Sequence, residues 1–331
     1  YFKRTNLDGV VIEGKSENPV LVVLKGEKDE YEVSFFEFDF TEIFEVLKDD
    51  VRTVASRIAS MVDFPSRSFV CGLAGLTTPF GALYSAEVRK GKIVGGTEDF
   101  AARGSAGSAL AEHNIMGFVF GGEPKPLKLN REAVKAVEEA NGKEYMKAIL
   151  EATVKYRYDP RLQTGGTFGG NYPHLQIYTP MFNFRMIYMS KEERERLWKE
   201  LMSERWWRKF NEEVVKVKAF RTCGEPCPVS CKKVWKGMKV DYEPFEACGP
   251  LSWIFDFEEA ARVVRASDRF GYDAIEFGST LAWILEGLKE GKIREEELGF
   301  EGWDSKKIAN FGVKFARDLA IGKREIYTAL R

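Results

Sequence analysis

Three of the five cysteines of this 331-residue chain stand in the stretch RTCGEPCPVSCKK (221–233), at Cys223, Cys227 and Cys231, each four residues after the last. Thiolates so placed are soft ligands for a metal or a cluster. On a regular helix the three would share one face. This stretch cannot be one, because Pro226 and Pro228 lack amide N–H groups and crowd the preceding turn, and Gly224 loosens it further. A loop is expected instead, turning thiolates and backbone N–H groups around one centre, which suits a 4Fe–4S cluster. Lys232, Lys233 and Arg221 would offset its negative charge. Other chemistries stay open at this point. Structural zinc favours two ligand pairs, whereas the remaining cysteines are Cys71 and Cys248 and the histidines, His113 and His174, lie well upstream. A radical S-adenosylmethionine site uses unequal gaps, and three unrelated buried thiols would rarely be spaced so evenly.

The elements that must carry this loop fall into two parts. Residues 1–121 are strand-rich, with β-branched or aromatic runs at 9–15, 19–26 and 30–38 and a helical pattern over 41–62. SFVCGLAG and ALYSAEVRKGKIVGG come next as a strand pair, then the Gly/Ser loop and short helix of AARGSAGSALAEHN, then the strand IMGFVFGG. GGEPKPLKLN (121–130) marks a boundary, with Asn130 as candidate N-cap of the next helix. Residues 122–331 are predicted mostly helical, at 131–157, 190–215, 256–270, 273–289 and 305–320, with Ser190 and Asp256 as caps. The insert at 164–180 is expected to be irregular and functional. The fold class is therefore α+β, a strand-rich N-terminal domain followed by a helical one. The chain opens on a strand pattern and closes in a helical one, so an internal piece of a longer protein is expected.

Composition narrows the partners. Lys+Arg 50 against Asp+Glu 51 leaves no basic field for nucleic acid or an anionic membrane. No apolar run is long enough to span a bilayer, and the start YFKRTNLDG is not a secretory signal. The few, clustered cysteines fit a reducing cytoplasm. The weight of Lys, Glu and aromatic residues hints at a thermophile.

With these residues in view the chain resembles the tungsten-dependent aldehyde:ferredoxin oxidoreductase family, in its glyceraldehyde-3-phosphate branch. VKYRYDPRLQTGGTFGGNYP (154–173), TCGEPCPVSCKK (222–233), YEPFEACGPLS (242–252) and GYDAIEFGSTLAWILE (271–286) carry the resemblance, and the equal cysteine spacing is similar to that branch. DRFGYD (268–273) resembles the family's Asp-x-x-Gly-Leu-Asp pterin motif with Tyr272 in place of Leu. The resemblance implies that Asp268 and Asp273 hold the polar pterin edge while Gly271 lets the backbone approach. Read alone, the same stretch is a helix end, with Gly271 beyond the last turn and a new helix following. ARGSAG (102–107) resembles the family's Gly-rich pterin and phosphate loop, implying roles for Arg103 and Gly104. A guanidinium ahead of a Gly-rich helix start is also an anion site on physical grounds. Glu246 resembles the family glutamate near the metal, which orients or deprotonates water or polarises an aldehyde hydrate. The implied cofactors are a tungsten (or molybdenum) bis-pterin and the 4Fe–4S cluster, and the implied partners are ferredoxin and a small aldehyde. The implied reaction oxidises the aldehyde, glyceraldehyde 3-phosphate first, to its acid. A relative acting on another aldehyde, or a non-catalytic electron-transfer or zinc-stabilised subunit, would carry the same features. The family's fourth cluster cysteine and a second Asp-x-x-Gly-Leu-Cys motif have no counterpart here, so the isolated chain is expected to be inactive. Arg157, Arg161 and Arg185 are guesses for a phosphate clamp.

Overall fold

The computed structural model describes residues 1–123, 130–216, 227 and 229–323. Its class is α+β, strands first and helices after, as the sequence predicts. Strands β1 (Val20–Glu27) and β2 (Glu30–Glu37) form an antiparallel hairpin. The VLVVL run of β1 is buried, whereas β2 is an edge whose glutamates discourage further pairing. The expected helix over 41–62 is two, α1 (Phe40–Leu47) and α2 (Val51–Ser60). Asp50 breaks it by leaving the helical region and accepting a bond from Arg52 N as the cap of α2. Then come β3 (Ser66–Cys71), α3 (Leu73–Thr77), β4 (Leu83–Arg89), β5 (Lys92–Ile93), β6 (Asp99–Ala101), α4 (Ala106–Glu112) and β7 (Ile115–Gly122). Among the described residues seven strands make one sheet, ordered β2-β1-β7-β3-β4-β5 with β6 beside β4. Residues 9–15, expected as a strand, are irregular. Val10, Val11 and Ile12 are exposed there, so no buried face rewards ladder formation.

Asn130 caps α5 (Arg131–Asn141) by accepting from Ala133 N, and α6 (Tyr145–Ala152) and α7 (Val154–Arg157) come after it. The insert expected to be irregular contains α8 (Gly166–Leu175). Burial of Phe168 and Tyr172 against Trp206 and Phe210 outweighs the poor helix propensity of its glycines. Ser190 caps α9 (Lys191–Leu197), which widens into a π-helical stretch over Trp198–Trp207, narrows at α10 (Arg208–Phe210) and widens again over Asn211–Val215. A small hairpin, β8 (Val234–Trp235) and β9 (Met238–Lys239), precedes α11 (Tyr242–Ala247), α12 (Phe257–Phe270), α13 (Ala274–Lys289), α14 (Glu295–Leu298) and α15 (Ser305–Ala320). Asp256 caps α12 as expected.

The chain divides into two compact units, one of Tyr1–Pro124, Pro180–Tyr188 and Pro244–Arg331, the other of Lys125–Thr179 and Met189–Glu243. The sheet unit thus takes in the C-terminal helices as well as the N-terminal strands. No described helix is long and apolar enough to cross a membrane.

Candidate functional site

The polar corner of the first unit is built by the turn between α12 and α13. Gly271 ends α12 at φ 72°, in the left-handed region, and Tyr272 N reaches back to Ser267 O at 3.1 Å. Asp273 then starts α13, its Oδ1 accepting from Ile275 N at 3.0 Å and Glu276 N at 3.4 Å. This turn is bonded to the loop after α3: Ala82 N donates to Gly271 O at 2.7 Å and Asp273 N to Phe80 O at 2.9 Å. Two glycines make the approach possible. A Cβ on Gly271 would lie 2.7 Å from Gly72 Cα, and one on Gly72 would lie 2.4 Å from Phe270 O. Tyr272 points into the core, where its ring stacks on Phe80 and Phe277 and its hydroxyl donates to Ala316 O at 2.9 Å.

The same loop receives α4. Gly107 N donates to Gly81 O at 3.0 Å, and Ser108 Oγ bridges Thr78 O and Gly81 N at 2.7 and 2.8 Å. Arg103, just ahead, therefore meets Asp273: its Nη1 donates to Oδ2 at 2.6 Å, with the carboxylate 3% and the guanidinium 53% exposed. Gly104 beside it, at φ 80°, has open space where a Cβ would project. Asp268 sits in the last turn of α12, with Arg52 Nη2 3.7 Å from its carboxylate and Asp50 on the same guanidinium. Burial opposes the charge of Arg52, but Asp268 and Asp50 outweigh it and raise the guanidinium above its usual range. The neighbouring Tyr84 phenol is raised by burial and by the surrounding carboxylates of Glu98, Asp50 and Asp268.

Glu246, in α11, is 5% exposed. The residues after it lie along the first turns of α13. A Cβ on Gly278 would meet Ala247 C at 2.5 Å, Cys248 Sγ donates to Ala274 O at 3.5 Å, and Ser252 Oγ contacts both Ala247 O and Gly278 O. The Cys248 thiol is pushed up by burial first, then by the charges of Asp268 and Asp273. Arg103, Gly271 and Asp273 are thus brought together beside the 72–82 loop, Gly104 adjoins Arg103 in the chain, Asp268 faces Arg52 at the start of α2, and Glu246 lies on the α11–α13 packing. Arg52 and Gly72 were not singled out from the sequence. VRT at a helix start and VCGLAG at a strand end were their only signals.

Cys227 and Cys231 belong to the second unit. Cys227 is exposed and Cys231 half-buried, both in irregular backbone, while Cys223 lies outside the described residues. Among the described residues no three His, Cys, Asp or Glu side chains are grouped to hold a metal ion. Lys233, two residues after Cys231, is buried, and that burial pulls its ammonium down to about 8, against the opposing charges of Cys231 and Asp241. The three arginines guessed for a phosphate are engaged elsewhere: Arg157 with Thr153 Oγ1 and Leu150 O, Arg161 with Asp159 at 3.4 Å, Arg185 with Glu286 and Glu290 at 2.8 and 2.5 Å.

Residues 143–323 match the family model "Aldehyde ferredoxin oxidoreductase, domains 2 & 3". An uncharacterised protein of Methanocaldococcus jannaschii is 41% identical over 99% of this chain and 55% of its own length. The glyceraldehyde-3-phosphate:ferredoxin oxidoreductase of Pyrococcus furiosus is 38% identical over 98% of this chain and 54% of its own length. The chain spans about half the length of the curated relatives it matches. Among solved structures, the active-site complex BamBC of benzoyl coenzyme A reductase with 1,5-dienoyl-CoA shares the fold, at a TM-score of 0.59 and 16% identity, over 96% of this chain and 46% of that one.

Proposed function

The chain belongs to the aldehyde ferredoxin oxidoreductase family, and from that premise we propose that the protein oxidises glyceraldehyde 3-phosphate to the acid and passes the electrons through a 4Fe–4S cluster to ferredoxin. Aldehyde and water give the acid, two protons and two electrons, so the site must hold an anionic substrate, accept protons and feed electrons outward one at a time. The observation that carries the reading is the 2.6 Å Arg103–Asp273 pair, which joins the two motif stretches at one corner. The relative of that activity at 38% identity supports the substrate class.

The residues present fit a polar heterocycle with an anionic tail. Asp268 keeps a partly exposed carboxylate 3.7 Å from Arg52, and Arg103, half in solvent, has N–H donors beyond the one given to Asp273. Gly104 leaves open space beside them. A tungsten bis-pterin bound there would supply the two-electron oxidation and the oxygen transfer. Asp273 spends Oδ1 on the cap of α13 and Oδ2 on Arg103, so it serves by orienting that guanidinium. Glu246, buried at the α11–α13 packing, takes a proton from the hydrated aldehyde as general base. Cys223, Cys227 and Cys231 would ligate the cluster.

Anaerobic purification followed by elemental analysis, and by dye or ferredoxin reduction with phosphorylated and plain aldehydes, tests this reading. Iron and tungsten in the protein, loss of iron in Cys227→Ser, and preference for glyceraldehyde 3-phosphate support it, whereas zinc without iron or tungsten overturns it. A second reading, an aldehyde without phosphate, is favoured by the engagement of Arg157, Arg161 and Arg185 with partners inside the chain. Equal rates on both aldehyde types would select it.

A further inference from the structure

Lys233 is fully buried, two residues after Cys231 and just before β8. An ammonium can be buried only if its donors are satisfied. Backbone carbonyls are among its acceptors: Nζ donates to Ser230 O at 2.8 Å and Tyr156 O at 2.9 Å, and lies 3.5 Å from Cys231 O. Ser230 and Cys231 belong to the cysteine loop and Tyr156 to α7, so one side chain ties the loop to a helix of the same unit. Gly166, at φ 67°, leaves the passage that the aliphatic stem needs, since a Cβ there would lie 2.7 Å from Lys233 Cγ.

We infer that Lys233 is a positioning residue for the cysteine loop, its buried ammonium fixing the Ser230–Cys231 backbone against α7 and setting a positive charge beside the Cys231 ligand. The inference rests on the reading of Cys223, Cys227 and Cys231 as cluster ligands. The tether holds the backbone of a loop that would otherwise pay for its own ordering. The charge, shielded from water and salt, favours the form of the cluster that carries one more electron, and so raises its reduction potential.

The test compares wild-type protein, purified anaerobically, with Lys233→Met, which removes donor and charge, and Lys233→Gln, which keeps a donor and removes the charge. Titration with dithionite, followed by electron paramagnetic resonance, is expected to give a lower midpoint potential in both variants. Amide hydrogen exchange over residues 229–235 is expected to be about ten- to a hundred-fold faster in Lys233→Met, the loss of bonds to a charged donor. A variant that keeps its iron at the wild-type potential overturns the electrostatic half. If the variants lose iron, exchange in the iron-free proteins decides, and unchanged protection overturns the tether. A wild type without any iron–sulfur signal sinks the cluster reading, and the exchange comparison still judges the tether.

Discussion

Replacing Asp273 separates two jobs that its two oxygens perform. Oδ1 caps α13 through Ile275 N and Glu276 N, an interaction worth about 1 kcal/mol. Oδ2 pairs with Arg103 at 2.6 Å. One partner is buried but the guanidinium is half in water, so screening holds the pair to about 1 kcal/mol. Asp273→Ala loses both, about 2 kcal/mol in all, which for a unit of this size lowers Tm by about 4–8 °C. Asp273→Asn keeps a good cap and loses the charge, about half that effect. Arg103→Ala is expected to match Asp273→Asn. Thermal unfolding of the cofactor-free protein by circular dichroism, at low and at high salt, reads all of this without a bound ligand adding to stability. High salt should shrink the gap between wild type and Asp273→Asn and leave the gap between Asp273→Asn and Asp273→Ala unchanged. If Asp273→Asn destabilises as much as Asp273→Ala, or Arg103→Ala is neutral at low salt, the division of labour argued for this carboxylate is wrong.

Gly271→Ala carries both a left-handed residue and a Cβ 2.7 Å from Gly72 Cα, so chemical denaturation should show a loss of about 2–4 kcal/mol. Gly142→Ala, left-handed but with open space around it, should lose only about 1 kcal/mol. In the folded, iron-free protein exposed Cys227 is expected to react with iodoacetamide while buried Cys71 and Cys248 stay unmodified, as peptide mapping would show. Burial pushes the Cys71 thiol from 9.0 up to about 12, so in that window the folded state keeps a proton that the unfolded state gives up. Its contribution is therefore intact below pH 9.0 and lost progressively as pH climbs toward about 12, and Cys71→Ala should flatten that fall in a denaturation series. Trp206→Phe removes the indole N–H donated to Tyr172 Oη at 2.8 Å within the aromatic packing of α8, and should cost about 1–2 kcal/mol by the same measurement.

What could be read from the sequence was local. Asn130, Ser190 and Asp256 have the right side chains one residue before an apolar period begins, and each caps its helix. The β1 and β2 runs, the RGSAG loop before α4 and the helices ending near 270, 289 and 320 obey the same logic. The failures share a cause. GVVIEGK has strand composition, but exposure of Val10, Val11 and Ile12 leaves it without a packing partner. The glycines of 165–170 argue against a helix, yet α8 forms because Phe168 and Tyr172 have aromatic neighbours to bury against, and those neighbours lie in a separate stretch of chain. The return of α12, α13 and α15 to the sheet unit, and with it the meeting of Arg103 with Asp273, is a long-range fact that no spacing within either motif encodes. Of the candidate site, residue types and motif positions were legible, Lys233 among them for its charge, while Arg52, Gly72 and the bonds that Lys233 makes to Ser230 O and Tyr156 O needed coordinates.

In DRFGYD the helix-end reading and the proposed site reading draw on the same residues. Gly271 must be left-handed to end α12, and it must lack a Cβ for the turn to touch Gly72. Tyr272 must face inward, because its neighbours bond the 80–82 loop from both sides, and a tyrosine fits there since Ala316 O accepts its hydroxyl hydrogen. Asp273 must accept the first N–H groups of α13 to start it, which fixes the oxygen that then orients Arg103. Each requirement of helix termination therefore also removes a degree of freedom from a polar side chain at the corner. A site on such backbone is ordered before any ligand arrives, so binding need not supply the entropy of arranging it. The helix stop is thus the reason these carboxylates can serve a site at all, and a loop bearing the same residues without the Gly72–Gly271 contact would have to order them at the expense of affinity.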